Sequence, residues 1–379
     1  MRSRSTRLGD FFRRADIFLL VICTMLTLFG ILAIASVTGG GTKYIIVQTA
    51  SMFIGILAFA VFTVIDADVI ASKAGIVVIL CTLFIGGLLI FGHDDGTGNR
   101  AWYRFMGIGV QPSEIVKIFF IILMAKQISL YKERRELDKP DKVALLVGHF
   151  GYIFVLLFVI TSDLGSALIY MAIFIVMLIA GGVAWYWLGI GAAMACAVIP
   201  FAWNHVFHEY QRMRILVPYD PTIDPNGEEY RWQMNRTMNA MKSGRLKGVG
   251  LGNGQINIDA KHTDCIFASI GEEMGMIACL AIILVLAIII VRCCVVGIRS
   301  NSTFGMLICF GVASAITFQT FINIGMCMGI SPVIGITLPF VSYGGSSIVA
   351  LYAAIGMVSG VKYKPKPQRY AMNLDFNLK

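Results

Sequence analysis

Long uncharged apolar runs constrain this chain more than any other feature. After Asp16 no charge appears until Lys43, and none occurs from Tyr44 to Ile65 or from Ala74 to Gly92. A helix needs about 20 apolar residues to cross the hydrocarbon layer. A fourth, more polar span runs from about Val110 to Tyr131 and carries Glu114, Lys117 and Lys126. Val143 to Ser162 is the fifth. Leu164 to Asn204 is too long for one helix, and Gly181-Gly182 divides it. Met274 to Val291 forms the core of the eighth. Asn301 to Val361 is again too long, and Pro332, Pro339 and Gly344-Gly345 place a non-helical segment in its middle. The pattern predicts an all-α polytopic membrane protein of about ten transmembrane helices, a single integral-membrane domain over 1–379. The chain is 57% hydrophobic and only 14% charged, against about 25% charged in soluble domains. Soluble, disordered and collagen-like classes are thereby excluded.

Arg13-Arg14 before an apolar stretch, with Ala33-Ile34-Ala35 after it, imitates a cleaved leader. The stretch from Ile17 is longer than the usual apolar region of such a leader, so it is expected to remain as the first helix. Orientation follows from lysine and arginine in the short loops. With the N-terminus inside, the inner segments hold 18 of them and the short outer loops 3, namely Lys43, Arg100 and Arg104. Both termini are expected on the cytoplasmic side, with 362–379 a basic cytoplasmic tail. The net charge of +9 is thus an orientation signal and not a nucleic-acid footprint. The nine cysteines lie mostly in apolar runs with no CxxC, which reads as small buried residues without a disulfide framework.

One outer loop, 205–264 between spans seven and eight, is far longer than the rest. It holds 8 Lys+Arg and 7 Asp+Glu, and loops of this length are functional or disordered. Trp232 with Met234, Met238 and Met241 follows helical spacing. Two readings fit equally: an amphipathic helix at the membrane surface, or a helix packed on the protein.

Ionisable residues inside a membrane are costly and face a partner or a cavity. Glu114 and Lys117 stand at i, i+3 on one helix face. They make either an orienting ion pair or the wall of a polar cavity that meets a charged substrate. Gln111-Pro112-Ser113-Glu114 reads as a helix start. Asp163, followed by Gly165 and Ser166, reads first as a helix N-cap. His262-Thr263-Asp264 lies where the long loop meets span eight, with Glu272 and Glu273 beyond it. On a continuous helix Asp264 and Glu272 share a face. A carboxylate there suits general-base work on a hydroxyl; an N-cap followed by a stabilising Glu pair fits as well. Ser243 to Gln255 carries five glycines and two cations. It fits no Walker pattern; it could wrap a phosphate with backbone N–H groups or be a flexible loop. Ser342-Tyr343-Gly344-Gly345-Ser346 ends a loop that also involves Asn323, Pro332 and Pro339. Non-helical backbone at membrane depth belongs against protein or a wet cavity.

Together these stretches resemble the SEDS family, the shape, elongation, division and sporulation proteins of the RodA, FtsW and SpoVE kind. The resemblance covers nearly the whole chain. It is carried by Gln111-Pro112-Ser113-Glu114 with Lys117, Asp163-Leu164-Gly165-Ser166-Ala167, Tyr210-Gln211-Arg212, Asp220-Pro221 and Asp224-Pro225. His262-Thr263-Asp264 with Ile266-Phe267-Ala268, Gly271-Glu272-Glu273-Met274-Gly275, Asn323-Ile324-Gly325 and Leu338 through Gly345 complete it. The resemblance implies a peptidoglycan glycosyltransferase of the bacterial cytoplasmic membrane. Such an enzyme polymerises lipid II at the outer face, beside a class B penicillin-binding protein that crosslinks the glycan. It implies Asp264 as the essential aspartate, accepting the proton of the GlcNAc 4-hydroxyl while undecaprenyl diphosphate leaves with inversion. Lys117, Arg100, Arg212 and the loop cations Lys242 and Lys247 are then candidates to neutralise the diphosphate. Glu114, Asp163, His262, Glu272, Glu273, Asn323, Ser342 and Tyr343 are further substrate-binding candidates. No metal cage is legible, although a divalent ion could share the diphosphate charge. The chain departs from the family pattern in places. Ala101 separates Arg100 from Trp102; Thr161-Ser162 replaces Gln-Pro; Lys242-Ser243-Gly244-Arg245 replaces a Gly-Ser-Gly-Gly run; Arg236 stands where Gln is often found.

Two readings from other classes compete with the polymerase. A lipid II flippase needs alternating access, often with repeat symmetry; no clear internal repeat is visible, and the acidic motif sits at the surface instead of the midplane. A non-catalytic scaffold for a transpeptidase would tolerate loss of Asp264.

Overall fold

The computed structural model describes residues 15–93, 100–105, 108–205, 207, 209–220, 222–227 and 229–363. The first five arginines, Pro221 and the basic tail beyond Tyr363 lie outside the described residues.

The helices are α1 Ile17–Val37, α2 Thr42–Val64, α3 Ala67–Ser72, α4 Ala74–Gly86, α5 Leu88–Phe91, α6 Pro112–Glu133, α7 Pro140–Thr161 and α8 Leu164–Gly181. They continue as α9 Trp185–His205, α10 Glu209–Leu216, α11 Trp232–Gly244, α12 Ile266–Ile298, α13 Thr303–Cys327 and α14 Gly345–Tyr363. Nine are long and apolar enough to cross a membrane among the described residues, counting α4 and α5 as one. The tenth expected span, α6, has 22 residues but carries Glu114, Lys117 and Lys126. Its charge is tolerated because the helix runs inside the bundle, with Phe120, Ile121, Ile122, Met124, Ala125 and Ile128 buried. The chain is a multi-pass membrane protein. A hairpin of β1 Tyr103–Phe105 and β2 Ile108–Val110 joins α5 to α6, with Arg104 opposite Gly109; the sequence pattern did not predict it.

Local chemistry sets the helix ends. Pro112 and Pro140 occupy first turns, where a missing N–H costs nothing. Gly182, at φ 88°, closes α8, so the Gly-Gly pair does separate two spans. Glycines also let α14 meet α2 backbone to backbone. A methyl group at Gly356 would stand 2.6 Å from the Phe59 carbonyl oxygen, the small-residue contact that lipid-embedded helices use. At the end of the bundle where α1 begins, Asp16 is fully buried. It pairs with Arg292 at 2.8 Å and Lys362 at 3.4 Å, and its backbone N–H donates to Ser359. That carboxylate ties α1, α12 and α14 together. At the periphery, none of the residues of α9 is buried. All nine cysteines are free thiols and seven are buried, as their apolar context predicts.

The eighth span differs from its expected form. Met274–Val291 is only its core: α12 starts at Ile266 and is interrupted at Gly275, which adopts φ 80° and ψ 179°. Only glycine takes that conformation readily. The break frees backbone groups, and the glycine-rich segment fills them. Val249 and Gly250 donate to the carbonyls of Glu272 and Glu273, and Met276 donates to the Arg245 carbonyl.

Candidate functional site

The site lies at the opposite end of the bundle from Asp16, where α6, α8, α12 and α14 begin. Asp264 sits in the turn before α12, and not on the helix. It therefore does not share a helical face with Glu272, which corrects that expectation. The non-helical segment between α13 and α14 is packed against this turn. Gly335, at φ 75°, faces the Asp264 carboxylate; a Cβ there would stand 3.3 Å from Oδ2.

Every strand of this junction is tied by side chains. Asn323, fully buried on α13, donates to the carbonyls of Asp264 at 2.7 Å and Ile336 at 2.6 Å. Ser342 Oγ donates to the Thr263 carbonyl at 2.7 Å and accepts the Leu338 N–H at 2.8 Å. The Tyr343 N–H donates to the His262 carbonyl at 2.9 Å. Gln48 on α2 donates to the Ser342 carbonyl at 2.9 Å and accepts the Gly344 N–H at 3.2 Å. Irregular backbone inside a membrane protein survives only when its polar groups are satisfied this way. Tyr44, His262 and Tyr343 form an aromatic cluster of tilted and edge-to-face rings, with centroids 4.5 to 5.6 Å apart. We expect Asn323→Ala to leave two buried carbonyls unpaired. The loss should be about 1–3 kcal/mol per orphaned group, read as a lower thermal midpoint of the detergent-solubilised protein.

Asp163 borders the same junction. It caps α8 by accepting the Ser166 N–H at 3.0 Å and its hydroxyl at 2.7 Å. Gln111, at the start of α6, donates to it at 3.0 Å. Gly165 brings this cap within contact of Ile334 and Ile336.

Asp264 keeps a partial opening to solvent but is enclosed by protein on most sides. That burial, reinforced by the Asp163 charge and opposed by Arg214, pushes its carboxyl up to about 6. An acid with that value is ionised near neutrality yet basic enough to accept a proton. Burial and the Lys261 charge lower His262, and burial beside Tyr44 raises Tyr343.

Several expected site residues lie elsewhere. Glu114 and Lys117 form an ion pair at 2.8 Å within the bundle, with side-chain exposures of 6% and 7%. The void beside them, between α6, α13 and α14, measures about 20 Å³, enough for a water and not for a substrate. Glu272 and Glu273 are buried and hold the glycine-rich segment. Glu272 accepts the N–H groups of Gln255 and Ile256 at 2.9 and 3.0 Å, and Glu273 accepts the Ser36 hydroxyl. That segment is not the open phosphate cradle considered from its glycines, because its amides at 248–250, 252–253 and 255–256 already have partners. Arg212 donates to the carbonyls of Asn204 and Phe207, both at 3.1 Å, and so caps α9. Lys242, Lys247 and Arg100 are exposed, and the cation that acts on Asp264 is Arg214.

Sequence reasoning missed Arg214, the cation that acts on Asp264, and Gln48, Tyr44 and Gly335. Arg214 lies two residues beyond Arg212, on another face of α10, and only its helix's placement shows which carboxylate it serves. Helix α11 is packed on the protein: Met234, Thr237 and Ala240 are buried, and Gln233 reaches Cys265 Sγ at 3.4 Å. Of the two readings of its Met stripe, the packed one holds. Among the described residues no group of His, Cys, Asp and Glu is placed to hold a metal ion.

Comparison with known proteins places this arrangement. A family model described as "Cell cycle protein", covering FtsW, RodA and SpoVE, matches residues 14–366. The chain is 29% identical over 356 residues to the peptidoglycan glycosyltransferase MrdB of Escherichia coli, covering 91% of this chain and 93% of the relative. It is 30% identical to the probable peptidoglycan glycosyltransferase FtsW of Geobacter metallireducens, covering 93% and 96%. A solved structure concerned with coordination of polymerization and crosslinking by a peptidoglycan synthase complex superposes with a TM-score of 0.77 at 23% identity, over 92% of this chain and 97% of that one. The rod shape determining protein RodA of Thermus thermophilus gives 0.69 at 21% identity, over 92% and 96%. At such identities the two structures speak for the fold alone.

Proposed function

The chain belongs to the FtsW/RodA/SpoVE family, and from that premise we propose how its geometry polymerises glycan. It is a peptidoglycan glycosyltransferase, as its relatives are named. Lipid II is the substrate in this reading, and the bond formed is β-1,4 between MurNAc and GlcNAc. Asp264 accepts the proton of the GlcNAc 4-hydroxyl as that oxygen attacks the anomeric carbon of the growing strand, with inversion. Undecaprenyl diphosphate departs with the bonding pair. The single observation behind this role is the enclosed Asp264 carboxylate, raised to about 6, on a turn whose backbone carbonyls Asn323 and Ser342 hold.

Charge developing on the diphosphate calls for preorganised cations. Arg214 is the cation felt by Asp264. The exposed Lys242 and Lys247 remain available to a lipid-linked anion, whereas Lys117 and Arg212 are committed to Glu114 and to the end of α9. His262 and Tyr343 offer ring faces at the same mouth for a sugar. The lysine and arginine distribution supports placing this end of the bundle outside the bacterial cytoplasmic membrane, where lipid II presents its sugars, with both termini inside. A class B penicillin-binding protein is the proposed partner, in elongation, division or sporulation.

The test is synthesis of glycan by the purified chain from labelled lipid II, with and without that partner. Polymer is the expected product. Transfer of lipid II across liposomes with no lengthening would overturn the reading in favour of a flippase. Inertness in both assays with the cognate partner present would leave a scaffold.

A further inference from the structure

A second concave surface lies on the long loop, apart from Asp264. It is an open, shallow cleft of about 510 Å³ lined by Gly227, Trp232, Asn235, Arg236, Asn239 and Asp259. Asn235 and Asn239 stand one helical turn apart on α11, so their carboxamides share a face. The Arg236 guanidinium lies 5.1 Å from the Trp232 ring centroid and donates one N–H to the Asn257 carbonyl at 3.1 Å. Stacking and that bond hold the fork while its other donors stay open to the cleft. The carboxamides of Asn235 and Asn239 and the carboxylate of Asp259 make no hydrogen bond to any described residue. Across the cleft runs 257–260, the segment that continues into the turn of Asp264. On its neighbouring face α11 sends Gln233 to Cys265, beside that same aspartate.

This lining has the chemistry of a peptide reader. A fixed guanidinium takes a carboxylate by two parallel bonds. Two carboxamides take peptide N–H and C=O groups, and Asp259 on the facing wall takes an N–H or a free amine. We propose that the cleft is a subsite for the peptide of lipid II, which in the glycosyltransferase reading is a disaccharide-pentapeptide on undecaprenyl diphosphate and so presents carboxylate and amide groups to this lining. It rests on the glycosyltransferase reading and gives it a specificity element: the peptide is held on α11 while its sugar lies toward Asp264.

The test is binding of lipid-free disaccharide-pentapeptide to the detergent-solubilised full chain by calorimetry, with the peptide-free disaccharide as second probe. For Arg236→Gln/Asn239→Ala the pentapeptide probe should bind at least about tenfold more weakly, the loss expected from one charge-assisted pair and one amide bond. The peptide-free disaccharide should show no such difference. Asn239→Ala alone, on an exposed side chain, tests the cleft without the Arg236 tether to Asn257, and several-fold weakening is expected. Equal affinity of parent and variants, or equal weakening toward both probes, overturns the subsite. So does unchanged binding combined with lost copurification of a class B transpeptidase, which would make the cleft a protein interface. Failure of the catalytic reading shows separately, as polymer made by an Asp264 variant.

Discussion

Asp264→Asn is expected to abolish glycan polymerisation while leaving the fold intact. A positioned general base contributes about 10²–10⁴-fold, so the rate from labelled lipid II should fall by that factor. The parent should show the matching pH dependence. With the carboxyl raised to about 6, activity should fall about tenfold per unit below that value as the base is protonated, and level off above it. Stability moves the opposite way. Burial raises the folded-state value above the ordinary carboxylate value near 4, so between the two the folded chain binds more protons than the unfolded one. Stability then declines as pH rises through that window. The ionised aspartate is a burden to the fold at neutrality, and the asparagine variant should melt no lower than the parent. Retained polymerisation in a well-folded variant would remove Asp264 from the mechanism.

The second large effect is on stability, at the ion pair inside the bundle. Lys117→Met alone should destabilise the protein by about 3–5 kcal/mol, because it strands the Glu114 carboxylate in a void with room for only a water. Gln319 Nε2, 3.3 Å from Glu114, is a poor substitute for the ammonium at 2.8 Å. The double variant Glu114→Gln/Lys117→Met should recover most of the loss, since a neutral pair of similar volume carries no buried charge. Thermal midpoints of single and double variants decide this. Equal midpoints for Lys117→Met and the parent would mean that water reaches the pair and the void is a true cavity.

Much of this molecule was legible because membrane burial writes itself into composition over twenty residues at a time. The spans, the split at Gly181-Gly182 and the non-helical segment before Gly344 each follow from run length and breaker residues. Asp264 was legible as a candidate because a carboxylate at a membrane boundary is costly. Its neighbours were not. Glu272 and Glu273 looked like partners of Asp264 only while the helix was taken to include residue 264, whereas α12 starts at Ile266. The glycine-rich segment that fills the break at Gly275 takes the Glu272 carboxylate, and a lone glycine in an apolar run gives no sign that it will adopt φ 80°.

By itself the sequence determined that this chain crosses a membrane many times, and which motifs fall at the ends of its apolar runs. Those properties depend on local hydrophobicity and residue order, which are summed along the chain. Only the tertiary structure decided which polar groups meet. It placed Asn323 and Ser342 behind Asp264, set Arg214 and Asp163 against its charge, enclosed Lys117 with Glu114, and committed Arg212 to the end of α9. Hydrogen bonds and ion pairs act over about 3 Å, between residues as distant along this chain as Asp16 and Ser359, 343 positions apart. No spacing in the sequence encodes such distances until the helices have packed.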